Sequence, residues 1–330
     1  MTHRGYLAGV GAAALAALWW RRGREVGDPC GPLGVALPGG STTRLQTPDG
    51  AELAVLVAGP SEGPMVVLSH CWTGAMDIWA PVARRLVARG HRVVLYDQRG
   101  HGASSFGQGV DEIGVLGDDL ALVLDHVGAH DVVVAGHSMG GMTVQAYLAR
   151  HGADARARVR GIVLVSTAAK VTPRALPAFA AELLMGDRVV GLTRDPRIGR
   201  IATRRVVGRR AVPSHLDVVH RTLHATPARV RAACLLAMSR MDLRAAIAAA
   251  HVPATVLVGS RDRLTPPRLG RQLCRAWPGA VLQVLPGAGH MLPLEAPADV
   301  TDAIARAAAA APAPSVEHPP APQVTSHRAG

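Results

Sequence analysis

Aromatic residues are scarce in this chain of 330 residues, since phenylalanine, tyrosine and tryptophan together make up 3% of it. Proteins that bind single-stranded nucleic acid stack bases on aromatic side chains. The scarcity therefore argues against nucleic acid as a partner, despite a formal net charge of +12. Lysine is rarer still, because every basic residue except Lys170 is an arginine. The positive charge favours a solvated basic surface, with attraction to anionic lipid or another anionic partner as the alternative.

Cysteine is also rare, and its four positions, Cys30, Cys71, Cys234 and Cys274, lie far apart. The absence of a C-x-x-C pair argues against a zinc site, and four cysteines in so long a chain argue against a disulfide framework. We therefore expect free, mostly buried thiols. The glycine-rich stretch 136–141 has neither the dinucleotide nor the phosphate-loop spacing, and no grouping of histidine and aspartate points to a metal. The sequence thus predicts neither a cofactor nor a metal ion.

The run from Tyr6 to Trp20 carries no charge and is followed closely by three arginines. As a helix it would reach roughly 22 Å, which is short of the ~30 Å hydrocarbon core of a bilayer. We expect residues 1–24 to be a membrane anchor or interfacial helix, with its two tryptophans at the headgroups and the later chain in the cytoplasm. Two alternatives stay open. One is the signal peptide of an exported protein, for which Ala14–Ala16 resembles a cleavage site, and the other is a buried core helix.

Strand-like and helix-like segments alternate along most of the remaining chain, and this alternation predicts a mostly parallel sheet flanked by helices. The alternation is interrupted by a long interval that contains only helix-like stretches, cut by prolines and rich in arginine. Such an interval between two strands of one sheet predicts an all-helical cap. The predicted organisation is a glycine- and proline-rich linker over residues 25–41, a core over 42–170 and 251–310, a helical cap over 171–250, and a disordered tail over 311–330.

The most informative motif is Gly136-His137-Ser138-Met139-Gly140, which directly follows the apolar run 132–135. It predicts a strand that ends at a turn of small residues and continues as a helix over Met142–His151. The flanking glycines let the strand and the helix pass close together, so the serine hydroxyl is forced outward. Further along the chain, Asp262 and His290 each follow another strand-like apolar run. A serine, an acid and a histidine thus follow three predicted strands in that order.

These residues, in this order, resemble the α/β-hydrolase fold family over roughly residues 42–310. Three further stretches match it. Asp97–Ser104 is similar to the turn after the family's fourth strand, Ser69–Gly74 to its oxyanion loop, and His290 with Leu294–Pro297 to its histidine loop. The resemblance implies an α/β-hydrolase fold, with a mostly parallel sheet flanked by helices, a helical cap insertion and serine hydrolase activity.

The resemblance also implies a role for each candidate site residue. Ser138 would be the nucleophile, His290 the general base and then the acid, and Asp262 the group that orients the imidazole. The backbone N–H groups of Trp72 and Met139 would form the oxyanion hole. Two of these side chains have a plainer alternative. Ser138 could be a turn serine, and Asp262 a surface loop acid paired with Arg261 or Arg263. His290 is one of 15 histidines, so its position after the last strand is what supports its role.

One position departs from the family's pattern. The glycine that normally follows the histidine of the oxyanion loop is Cys71 here, and a positive φ at this position would strain the loop. We expect a small buried side chain, with a reactive thiol near the pocket as the alternative. His70 and His137 are expected to support or line the site, and Arg99 with Asp97 to tie down a loop.

A serine nucleophile argues against dehalogenases and epoxide hydrolases, which in this fold attack with aspartate. The expected function is hydrolysis of carboxylic esters. The apolar cap and the N-terminal segment favour a lipidic or long-chain ester and a membrane surface as partners. The alternatives are an acyltransferase or perhydrolase that uses the same acyl-enzyme, a hydrolase of carbon–carbon bonds, and a non-catalytic ligand-binding protein. The substrate's identity depends on the shape of the pocket, and the oligomeric state is open.

Overall fold

One eight-stranded sheet forms the centre of the molecule. The computed structural model describes residues 28–31, 34–171 and 177–310. Within these ranges the strands are Gly40–Gln46 (β1), Glu52–Ala58 (β2), Met65–Ser69 (β3), Arg92–Tyr96 (β4), Val132–His137 (β5), Val159–Val165 (β6), Ala254–Gly259 (β7) and Val281–Leu285 (β8). They lie side by side in the order β1-β2-β4-β3-β5-β6-β7-β8. β2 is antiparallel to both of its neighbours, and all other neighbouring pairs are parallel.

Helices connect most of these strands. In the described part of the chain they are Ala80–Ala88 (α1), Gly114–His126 (α2), Met139–Arg150 (α3), Gly152–Arg158 (α4), Ala178–Met185 (α5), Asp187–Gly191 (α6), Pro196–Arg204 (α7), Pro213–Ala225 (α8), Ala228–Arg240 (α9), Arg244–Ala248 (α10), Pro267–Ala276 (α11), Leu292–Glu295 (α12) and Pro297–Ala309 (α13). Short 3₁₀ turns occur at Met76–Trp79 and Leu192–Arg194.

The sheet is covered on both faces, which explains why its central strands are continuous apolar runs. Successive side chains of a strand point to opposite faces. Val132 and Val134 of β5 therefore join one buried cluster, which α2 and α3 also line, while Val133 and Ala135 join a second cluster lined by α1 and α13. The two helix layers fix the sheet between them and so define the edge at which the parallel strands end.

The predicted α/β architecture, a mostly parallel sheet flanked by helices, is confirmed. One difference at an element boundary concerns α3, which begins at Met139 rather than at the predicted Met142. The sequence pattern did not indicate the first turn of this helix, because Gly140 and Gly141 lie in it and glycine is a poor helix former. The helix therefore starts directly after Ser138, with no intervening loop.

The predicted linker over residues 25–41 is partly ordered. β1 begins at Gly40, inside the predicted linker, and Cys30 is buried. Two arginines of α1 hold this segment against the core: Arg84 donates to the Cys30 carbonyl at 2.9 Å, and Arg85 donates to the carbonyl of residue 29 at 2.6 Å. The glycine- and proline-rich composition of this segment indicated a linker. Composition does not reveal the hydrogen bonds from Arg84 and Arg85 that hold the segment in place.

Between β6 and β7 the described residues form helices α5 to α10 and their connecting loops, with no strand. This interval corresponds to the predicted helical cap, of which residues 172–176 lie outside the described part. The cap approaches the edge where the parallel strands end through backbone contacts. Gly208 packs against Gly289, and the N–H of Arg209 donates to the Gly287 carbonyl at 2.8 Å. The cap therefore contacts the loop that contains His290.

Two of the predicted segments, the N-terminal residues 1–24 and the tail 311–330, lie outside the described residues. Within the described ranges, no helix has the length and apolar character needed to span a membrane.

The close packing of α2 against α3 gives a stability prediction. A Cβ atom on Gly117 of α2 would lie 2.7 Å from the backbone of Ala146 and Tyr147 in α3. We expect Gly117→Ala to lower the free energy of unfolding by about 1–3 kcal/mol, the usual cost of overpacking. The measurement is the midpoint of urea denaturation. Gly191→Ala is the matched control, because no atom lies within 4 Å of its added Cβ. Equal stability of the two variants would contradict this account.

Candidate active site

Ser138 occupies a strained turn between β5 and α3. Its φ of 54° and ψ of −114° lie in a region that L-residues rarely adopt. Its backbone is held on both sides, since its N–H donates to the Val165 carbonyl at 2.9 Å and its carbonyl accepts from Thr167 Oγ1 at 2.7 Å. Its hydroxyl forms no hydrogen bond to any other residue that the structure describes. The turn therefore fixes the backbone and leaves the hydroxyl free.

Glycines at positions 136 and 140 make this turn possible. A Cβ atom on Gly136 would overlap the Gly140 carbonyl, and one on Gly140 would overlap the carbonyl of Ser69 in β3. Any larger residue at either position would push the strand and the helix apart. The chain thus approaches itself closely at the end of β5, where a serine hydroxyl can reach the carboxyl edge of the sheet.

Asp262 and His290 are hydrogen-bonded to each other. Asp262 follows β7 and His290 follows β8, and the distance from His290 Nδ1 to Asp262 Oδ2 is 2.9 Å. The N–H groups of Leu264 and Thr265 donate to Asp262 Oδ1 at 2.9 Å each, and the Thr265 hydroxyl donates to Oδ2 at 2.8 Å. These contacts orient a buried carboxylate toward the imidazole.

Burial by itself would raise the pKa of Asp262. The neighbouring His290 and the hydrogen bonds from Thr265 outweigh that effect and lower the pKa below its ordinary value. An ionised Asp262 accepts a hydrogen bond from His290 Nδ1–H, which keeps the proton on Nδ1. In that tautomer Nε2 has a free lone pair and can act as a base.

The structure brings His290 and Asp262 together and leaves the Ser138 hydroxyl unbonded. His137, the residue before the serine, connects the two loops. Its Nε2 donates to the His290 carbonyl at 2.8 Å, and the two rings lie 5.1 Å apart between centroids. Burial, together with the neighbouring His290, lowers the pKa of His137 to about 3. A neutral His137 therefore supports the histidine loop, as the sequence predicted, without adding a charge to the site.

The two predicted oxyanion donors, the N–H groups of Trp72 and Met139, make no hydrogen bond to other residues in the described part of the chain. Met139 is the first residue of α3, so its N–H lacks an intrahelical acceptor. Trp72 lies in the loop after β3, where Thr73 adopts a φ of 56°. His101 Nε2 accepts a hydrogen bond from the Thr73 N–H at 3.2 Å and supports that turn.

Two buried histidines hold this loop in place. The ring of His70 accepts from the Gln98 N–H at 2.9 Å and donates to the Cys71 carbonyl at 2.7 Å. Burial lowers the pKa of His70 to about 4 and that of His101 to about 3, so both are neutral. The sequence predicted a supporting role for His70 but not for His101. The signal for His101 was its place in the Asp97–Ser104 motif.

The backbone of Cys71 does not have the positive φ that would strain the oxyanion loop. The left-handed residue of this loop is Thr73, and Cys71 is not among the described residues with positive φ. The Cys71 thiol is buried, and burial raises its pKa to about 12. Thiolate is the reactive form of cysteine, so the interpretation as a small buried side chain is favoured.

Asp97 and Arg99 were expected to hold a loop in place, and their contacts agree with that role. Asp97 accepts hydrogen bonds from backbone N–H groups, and Arg99 forms an ion pair with Asp119 at 2.6 Å.

Glu295 is a residue of the candidate site whose contacts sequence reasoning missed. Its buried carboxylate accepts hydrogen bonds from the N–H groups of Gly208 in the cap at 2.8 Å, Gly289 at 2.9 Å and Met291 at 3.2 Å. Burial raises its pKa, and these three donors counteract that effect. One carboxylate thereby joins the cap to both sides of His290. Glu295 lies in the stretch Leu294–Pro297 that resembles the family's histidine loop, but the sequence did not indicate its hydrogen-bond partners.

A sequence profile of the alpha/beta hydrolase fold matches residues 64–297. This chain belongs to the α/β-hydrolase fold family. Its match to 3-oxoadipate enol-lactonase 2 of Acinetobacter baylyi is 28% identical over 242 residues, which are 72% of this chain and 86% of that protein. Its match to the pimeloyl-[acyl-carrier protein] methyl ester esterase of Chromobacterium violaceum is 29% identical and covers 69% and 88% of the two chains.

Solved structures agree with this assignment to the α/β-hydrolase family. The esterase EaEST from Exiguobacterium antarcticum matches with a TM-score of 0.73, over 82% of this chain and 100% of that one, at 21% identity. At that identity the likeness concerns the fold alone. The homologues of this α/β-hydrolase are hydrolases and related enzymes of the same fold.

The contacts of Glu295 give a prediction for the histidine loop. In Glu295→Gln an N–H₂ donor replaces one carboxylate oxygen and faces backbone N–H donors, and an unsatisfied buried group costs about 1–3 kcal/mol. We expect a lower melting temperature and a fall in kcat that exceeds any change in KM, because the loop positions His290. Glu182→Gln, on an exposed position of α5, is the control. If both variants behave alike in melting and turnover, Glu295 does not hold the loop.

Proposed function

We propose that this chain is a serine hydrolase that cleaves carboxylic esters through an acyl-enzyme on Ser138. The observation that carries the proposal is the left-handed turn of Ser138, whose free hydroxyl follows β5 at the sheet edge that also carries Asp262 and His290. Ser166 also has a positive φ and, among the described residues, a buried hydroxyl without a hydrogen bond, but Ser166 follows β6, whereas the glycine-flanked turn between strand and helix surrounds Ser138. An unbonded hydroxyl in this turn, at the sheet edge that carries a buried and oriented imidazole, supports a nucleophile.

In the proposed reaction, Ser138 Oγ attacks the ester carbonyl carbon while its proton passes to His290 Nε2. The N–H groups of Met139 and Trp72 donate to the oxyanion of the tetrahedral intermediate. Collapse of this intermediate breaks the bond to the alcohol, which leaves with the proton from His290. Water then attacks the acyl-enzyme, gives its proton to the same nitrogen, and releases the acid together with the free Ser138 hydroxyl.

Asp262 serves two purposes in this scheme. It accepts a hydrogen bond from Nδ1–H, which keeps the proton on that nitrogen and leaves Nε2 free to accept the proton of Ser138. It also stabilises the positive charge that develops on His290 during each proton transfer. The three additional donors to its carboxylate support a fixed geometry rather than a mobile ion pair.

A lipidic or long-chain ester is the substrate class that we infer. The relatives support an ester-like bond, because one is named a methyl ester esterase and another an enol-lactonase. The cap supports an apolar substrate. Large apolar side chains of its first helices are exposed, including Phe179 of α5 (73%) and Ile201 of α7 (62%). An acyl chain could cover such side chains on binding.

The same stretch of the cap supports contact with an anionic membrane surface, from which such a substrate would be delivered. Eight arginines and only three acids occur between residues 178 and 210. Exposed Leu183, Leu192, Ile198 and Ile201 lie among them. Apolar side chains beside arginines are the combination that interfacial helices use. The N-terminal residues 1–24 would add a second attachment, and we propose that the catalytic domain faces the cytoplasm.

The nucleophile proposal predicts the behaviour of Ser138→Ala. Esterase turnover should fall by roughly 10³ or more with the melting temperature unchanged, since only the attacking oxygen is lost. Covalent labelling by a fluorophosphonate should be lost as well. Ser166→Ala is a matched control, because Ser166 is also a buried serine with positive φ, and this variant should keep most of the activity. Near-normal turnover by Ser138→Ala would remove this serine from the mechanism.

The membrane proposal predicts co-sedimentation of the full chain with vesicles that contain anionic phosphatidylglycerol, at low salt. A chain without residues 1–24 should bind more weakly and lose that binding at high salt, where arginine contacts are screened. In the shortened chain Ile201→Glu should abolish binding. Val281→Glu, at an equally exposed apolar residue (63%) of β8, should leave it intact. A full chain that stays in the supernatant at low salt would contradict the proposal.

A further inference from the structure

A group of three potential metal ligands lies where the N-terminal strap, residues 28–31, meets the cap helix α8. The three side chains are Asp28, Cys30 and His215. Cys30 and His215 are buried, and the side chain of Asp28 is 32% exposed, so an ion in solvent could reach the group from one side. None of the three belongs to the candidate active site.

The three ligand atoms converge on one small volume. His215 Nε2 lies 3.3 Å from Cys30 Sγ and 3.3 Å from Asp28 Oδ1, and all three ligand atoms lie within 4.8 Å of one another. A tetrahedral zinc ion has bonds of about 2.0 Å to nitrogen and oxygen and about 2.3 Å to sulfur, which places its ligand atoms about 3.3–3.6 Å apart. Two of the three separations therefore already match a tetrahedral site.

Nucleophilic catalysis by Cys30 does not explain this arrangement. In a Cys-His-Asp triad the acid contacts the imidazole nitrogen opposite the one that faces the sulfur. Here both the sulfur and the carboxylate approach the same nitrogen, Nε2, while Nδ1 faces the Val212 N–H at 3.4 Å. Convergence of the sulfur and the carboxylate on one nitrogen is compatible with ligands around a shared ion.

We propose that Asp28, Cys30 and His215 bind one Zn²⁺ ion, with a water molecule as the fourth ligand, and that this ion clamps the N-terminal strap to the cap. Thiolate, imidazole and carboxylate are all zinc ligands, and the thiolate disfavours the hard ions Mg²⁺ and Ca²⁺. The carboxylate is already oriented for this role. Its Oδ1 accepts from the Cys30 N–H at 2.8 Å, and its Oδ2 accepts from the Ser214 hydroxyl at 2.7 Å.

Zinc binding has a defined proton balance. The Cys30 thiol loses its proton to solvent, and His215 moves its proton from Nε2 to Nδ1, so that one proton is released for each ion bound. That shift gives up the long contact with the Val212 N–H. Arg84 and Arg85 bind the carbonyls of residues 29 and 30 and disfavour a further positive charge nearby. The two negative ligands, thiolate and carboxylate, offset the charge of the ion.

The experiment uses the full chain, stripped with EDTA and then titrated with ZnCl₂ in competition with a chromophoric chelator. We expect one zinc per chain, a higher melting temperature with zinc than with EDTA, and, with Co²⁺ in place of zinc, the near-ultraviolet absorption of a cobalt–thiolate bond. Cys30→Ser and His215→Asn should each weaken binding at least 100-fold, more than the roughly 10–100-fold that loss of a supporting hydrogen bond costs. Ser214→Ala should fall within that smaller range.

Cys274→Ser is the matched control, because Cys274 is a free cysteine outside the group, and it should bind zinc like the unaltered chain. The cobalt spectrum and the melting shift of the unaltered chain keep the test decisive if Cys30→Ser fails to fold. A stripped chain that takes up no stoichiometric zinc, or a Cys30→Ser variant that binds it undiminished, would overturn the proposal.

Discussion

The backbone of Ser138 is held in a conformation that L-residues rarely adopt, and the geometry of the site depends on this constraint. Such a conformation costs on the order of 1–3 kcal/mol. It persists because Gly136 and Gly140 let β5, α3 and β3 approach one another at backbone distance. The same turn starts α3 directly at Met139. A single local constraint therefore supplies both the free hydroxyl and one of the two candidate oxyanion donors.

The groups around this turn are arranged so that few charges are buried near it. His70, His101 and His137 are neutral because burial lowers their pKa values. His70 and His101 each use both ring nitrogens in hydrogen bonds to backbone groups of the surrounding loops, and His137 uses Nε2 in this way. Asp262 is the acid that contacts the imidazole of His290, and its carboxylate is fully hydrogen-bonded. This arrangement concentrates negative charge where positive charge would develop in the proposed reaction.

Sequence patterns predicted the sheet well, because strands buried on both faces are continuous apolar runs such as 132–135. They also predicted that Ser138 and His290 each follow a strand, as the structure shows. Contacts between distant segments could not be predicted. The reach of Glu295 to the cap depends on the path of the folded chain, and so does the approach of Cys30 to His215, 185 residues away. Composition alone carries no information about such contacts.

The central claim is that Ser138 carries the acyl group during turnover. The most direct measurement is mass spectrometry of the protein after acid quenching during turnover of an activated ester with a slowly hydrolysed acyl group, followed by peptide mapping. The account predicts one acyl group per chain, on the peptide that contains Ser138, and its disappearance once the ester is consumed. Acylation of another residue such as Cys71, or steady turnover with no acylated peptide, would contradict it.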